Sequence, residues 1–87
     1  MEVFSVIKGE DVVLKLMETF KEYLEDDLRG GVGLDIKNRS VVKFVVRMES
    51  ALYALMLADV ISSNDYDDYF KQVQKYAEQK IAEFLSA

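Results

Sequence analysis

The chain has no His and no Cys, so any chemistry it performs falls to its carboxylates, Lys, Tyr and Ser. None of these sits in a spacing that marks a nucleophile beside its base or a tuned acid and base pair. The residues therefore predict a protein without catalytic groups and without a cofactor. Two short stretches come nearest to a ligand motif. Starting from Asp65, the alternation of Asp or Asn that a calcium loop needs fails at Tyr69, and the required Gly is missing, so no metal is expected. Gly30, Gly31, Val32 and Gly33 look like part of a phosphate-cradling loop. No Lys followed by Ser or Thr comes after them at the nucleotide-loop spacing, and they read as a turn.

Charge is more informative than any motif. Residues 1–28 carry eight acids against three bases, and residues 49–87 carry seven acids against three bases. Between them, Arg29, Lys37, Arg39, Lys43 and Arg47 face only Asp35. This basic middle is a candidate anion or nucleic-acid patch. Internal pairing is the preferred reading: were the first two helices antiparallel, Glu25 would approach Lys43 and Glu22 would approach Arg47. The net charge of −5 disfavours nucleic acid, because phosphate binding draws on neutralisation of the backbone.

The acidic clusters differ in what they require. Asp65, Asp67 and Asp68 open a predicted helix, where unsatisfied amides and the helix dipole favour carboxylates. Glu25, Asp26 and Asp27 close one, where the dipole disfavours them by about 0.3 to 1 kcal/mol each. With Glu22 they form a candidate acidic surface for a protein partner.

These residues must be positioned by helices. Pro is absent, and the four Gly are Gly9, Gly30, Gly31 and Gly33. From Glu10 to Arg29, apolar residues at Val13, Leu16, Met17, Phe20, Leu24 and Leu28 fall on one helical face, with Gly30 as a left-handed stop. Ser62 and Asp65 form a capping box, with Ile61 and Tyr66 at the staple positions, and open a helix over 62–86. Its apolar stripe is Tyr66, Tyr69, Phe70, Val73, Tyr76, Ala77, Ile81, Phe84 and Leu85.

Residues 41–48 fit two periods. Val42, Phe44, Val46 and Met48 alternate as in a strand, and a turn at Asn38 and Arg39 would make a hairpin over 32–47. The apolar pattern runs on to Ile61 without a breaker, which favours a helix over 39–61. The expected fold is a single all-α domain, a three-helix bundle or a long antiparallel helical hairpin with an extra N-terminal helix. An α+β fold with that short hairpin is the alternative. The first eight residues could form a short strand or an extra helical turn.

Of the 21 residues from Val41 to Ile61, 16 are apolar. A helix of this kind is buried nearly all round, and two neighbours from the same chain leave a strip uncovered. The expectation is a homodimer using Val42, Val46, Tyr53, Met56, Val60, Tyr69 and Tyr76; the alternative is a monomer that leaves the strip exposed. The longest uncharged run in that segment, Ser50 to Ala58, is too short to span a membrane. The opening Met1, Glu2 and Val3 lack the pattern of a secretory signal, which points to a cytoplasmic protein. In sum the residues predict a small regulator, adaptor or inhibitor that binds itself and another protein.

Overall fold

The computed structural model describes residues 9–86, and the expectation for residues 1–8 lies outside them. The chain is all-α, with α1 (Gly9–Gly30), α2 (Leu34–Leu57) and α3 (Ser63–Leu85). No strand occurs among the described residues, so the hairpin over 32–47 is set aside and residues 41–48 are helical. Length decides here: Val-rich residues that could pleat are held within a 24-residue helix whose pattern is continuous.

Short connections turn each helix back against the last. α2 is the central element, with α1 and α3 both packed along it. Its buried face is Val41, Phe44, Met48 and Leu52. Against it lie Val13, Met17 and Leu24 of α1, Val73 and Ala77 of α3, and Ile61 of the second turn. No polar side chain is buried among the described residues. The principal-axis extents are 53 × 23 × 17 Å and the radius of gyration is 14.9 Å. A compact chain of this length would have a radius of about 12 Å. The fold is a thin rod with one row of core residues down its length.

Two helix ends depart from the sequence expectation for α2. It begins at Leu34 rather than 39, because Gly31, Val32 and Gly33 complete the reversal by themselves. Gly33 has φ 93° and ψ 154°, a conformation that only Gly adopts without strain, and its carbonyl accepts from the Lys37 amide. Gly30 is the last residue of α1 but does not take the left-handed conformation expected of it; the positive φ of this turn is at Gly33, in an extended conformation.

The helix ends at Leu57 rather than Ile61 because the chain enters the left-handed region at Asp59 (φ 59°). The Val60 amide donates to the Leu55 carbonyl at 2.9 Å, and the Asp59 amide donates to the Met56 carbonyl at 3.1 Å. This is a Schellman turn built on Asp where Gly is usual. The turn is held from α1 as well. A Cβ on Gly9 would stand 2.5 Å from the Val60 carbonyl oxygen, so only Gly lets α1 start this close.

α3 starts as its sequence requires. The Asp65 amide donates to Ser62 Oγ at 3.0 Å, and the Ser62 amide donates to Asp65 Oδ2 at 3.3 Å. Ile61 beneath this box is buried, and Tyr66 packs against the core.

Candidate functional site

Two surfaces gather the residues singled out above. The first is a cleft of about 280 Å³ at the end of the rod where α1 finishes, α2 begins and α3 finishes. Leu28 and Phe84 line it beside Glu25, Arg29, Lys37, Lys80 and Glu83. Its polar centre joins the two outer helices. Lys80 forms ion pairs with Glu25 and with Glu83, and the Tyr76 hydroxyl donates to Glu25 at 3.0 Å.

Those contacts tune the groups they join. The hydrogen bond from Lys80 holds the Glu25 carboxyl below its usual range, with Tyr76 acting in the same direction. Lys80 is pushed up to about 12, chiefly by that same bond to Glu25. The phenol of Tyr76 is raised by burial and by the neighbouring carboxylate. A lysine held this firmly as a cation is unsuited to be a nucleophile or a base at neutral pH. The ammonium groups of Lys21 and Lys80 also lie 4.4 Å and 5.4 Å from the centre of the Tyr76 ring. The arrangement is a seam that fixes α1 to α3.

The expected internal pairing is therefore corrected. Glu25 turns to α3 and not to Lys43, and no pair forms between Glu22 and Arg47. Glu22 and Asp26 are exposed, Asp27 is half-buried, and Asp26 pairs with Arg29 one turn further along its own helix. The acidic surface loses Glu25 to the fold. The basic patch is divided: Arg29 and Lys37 line the cleft, whereas Arg39, Lys43 and Arg47 are exposed along α2. Among the described residues none of Lys37, Arg39, Lys43 and Arg47 has a carboxylate partner.

The second surface is the outer face of α2. Val42 and Val46 are each 52% exposed, Tyr53 50% and Leu57 65%. Their spacings of four, seven and four residues are close to whole helical turns, so the four share one stripe. The other expected contact residues serve the fold more. Met56, Tyr69 and Tyr76 are half-buried against the core, Tyr76 packing on Phe44 with ring centres 5.4 Å apart, and Val60 sits in the Schellman turn.

Sequence reasoning missed Leu57 and Lys80. Extending the helix to Ile61 put Met56 and Val60 in the stripe, although the spacing from Tyr53 to Leu57 was visible. For Lys80, the positions of Tyr76 and Glu83 a turn away on either side were a signal. Its partner Glu25 could not be read, because α1 and α3 are separated by a whole helix. The chain matches no protein-family model, no curated protein and no solved structure.

Proposed function

We propose that this chain acts by binding and not by catalysis, as a homo-oligomeric helical interaction protein of the regulator, adaptor or inhibitor kind. The observation that supports it most is the stripe of Val42, Val46, Tyr53 and Leu57 along the outside of the central helix, every member at least half exposed. Scattered apolar residues are ordinary on a surface. Two apolar pairs on one helix face, Val42 with Val46 and Tyr53 with Leu57, separated by Glu49 and bordered by Arg39, Lys43 and Ser50, have the layout of an interface core with a polar rim. A rod with so thin a core also gains from a second subunit, since disulfides are unavailable to a chain without Cys. The lack of Cys suits a reducing compartment such as the cytoplasm. No helix among the described residues is long and apolar enough to cross a membrane.

Sedimentation at micromolar concentration tests the proposal. The wild-type chain should run as a multiple of its 10.0 kDa mass, and Val46→Asp should run as a single chain with unchanged helical circular dichroism. A wild-type monomer at 100 μM would end it.

The row of Arg39, Lys43 and Arg47, without a carboxylate partner among the described residues, favours a second reading, a nucleic-acid-binding module. Its mark would be a gel shift that weakens steeply with salt and disappears in the double variant Arg39→Glu, Lys43→Glu.

A further inference from the structure

We infer that the partner of the α2 stripe is a second copy of this chain running antiparallel to the first. This deepens the self-association proposed above and rests on it. The stripe is palindromic: its spacings of four, seven and four residues read the same in both directions. A copy turned end for end about a two-fold axis between Glu49 and Ser50 therefore sets Val42 opposite the partner's Leu57, and Val46 opposite the partner's Tyr53. All four exposed side chains are covered at once, and each is matched with a residue of different size. A parallel copy also aligns the stripe, but it sets each residue on its own twin.

Charge decides between the two. The cations of the outer face, Arg39, Lys43 and Arg47, lie in the first two-thirds of α2. At the cleft end the carboxylates of Glu25, Asp26 and Glu83 are neutralised by Lys80 and Arg29, whereas at the other end, where α1 starts, α2 turns and α3 starts, Glu10, Asp11, Asp59, Asp65, Asp67 and Asp68 have no cationic partner among the described residues. The contact of Gly9 with Val60 and Ile61 shows that these ends adjoin. A parallel copy would stack the three cations on their counterparts and one acidic end on the other. An antiparallel copy brings Arg39 within one residue of the partner's Asp59 along the axis and the basic half of α2 toward the partner's acidic end. Rim charges of this kind select orientation more than they supply affinity. Glu49, next to the axis, meets its own copy, and Arg47 comes within about 8 Å of its own along the axis; these are the unfavourable charges in the arrangement.

Because the chain has no Cys, single thiols placed on the stripe report its geometry directly. In an antiparallel pair two copies of residue 42 are about 22 Å apart along the helix, far beyond the reach of a disulfide. Val42→Cys and Leu57→Cys should each fail to cross-link alone and should cross-link when mixed under mild oxidation. A second pair of variants needs no disulfide. Arg39→Glu and Asp59→Lys should each weaken the dimer several-fold at low salt, and their mixture should re-form it as a heterodimer.

Self-linking of Val42→Cys, or failure of the charge-swapped mixture to recover, in a chain that still sediments as a dimer overturns the antiparallel arrangement alone. A wild-type chain that stays monomeric overturns the self-association as well.

Discussion

Asp59 holds a backbone conformation that an L side chain adopts at a cost of about 1 to 2 kcal/mol. Asp tolerates it better than most, because its short carboxylate can bond locally, but Gly fits it without strain. Asp59→Gly should therefore stabilise the fold by about 0.5 to 1 kcal/mol, less than the full strain because Gly also gains freedom when unfolded. Urea denaturation checks it, preferably in the Val46→Asp background so that association does not enter. An unchanged or lowered midpoint would mean that the Asp59 side chain supports the turn in a way its geometry does not reveal. The same residue explains why the end of α2 was hard to read. Helix stops are recognised by Gly, Asn or Pro, and an Asp in the left-handed position carries no such label.

Between the helices, the seam of Glu25, Lys80 and Tyr76 makes stability depend on pH in a direction that its groups fix. Glu25 binds its proton more weakly in the folded chain than in the unfolded one. Its contribution is thus in place above the usual carboxylate range and is lost as the pH falls through the folded value. Lys80 binds its proton more tightly, so its contribution is complete below about pH 10.4 and fades as the pH rises toward 12. Tyr76, also raised, loses its contribution in the same alkaline window. The Glu25 side chain is 40% exposed, and solvent screening limits the pair to about 1 kcal/mol or less. At pH 7 the wild type should exceed Glu25→Gln in stability by up to about that amount, and the gap should close as the pH is lowered through the carboxylate range. Urea midpoints measured from pH 7 to pH 3 would show it; a gap that ignores pH would remove the charge of Glu25 from the account.

At this scale much of the fold was legible. The apolar steps of α1, the capping box of Ser62 and Asp65, and the stripe of α3 follow from helical period and local hydrogen bonding, which a sequence displays. Leu85, assigned to that stripe, is 63% exposed; it lies about 100° round the helix from Phe84, which packs against the core. The start of α2 was obscured because Val32, Leu34 and Ile36 are apolar yet exposed, and nothing in composition distinguishes them from core. The partner of Glu25 depends on how α1 and α3 are brought together by α2, which no local pattern encodes.

For the whole molecule, the feature that governs behaviour is the unequal sharing of contacts. α1 and α3 are each packed along α2, whereas they meet one another chiefly through the polar seam at one end. Once that seam is broken, either outer helix can swing away as a unit while the other stays bound to the middle one. Amide hydrogen exchange should register this as a hierarchy: slowest in α2 between Phe44 and Leu52, faster in α1 and α3, with α1 and α3 opening at separate free energies. Protection lost at one common free energy in all three would indicate a single cooperative unit. The middle helix is a spindle, and the two that flank it are leaves hinged to it and clasped to each other at one end.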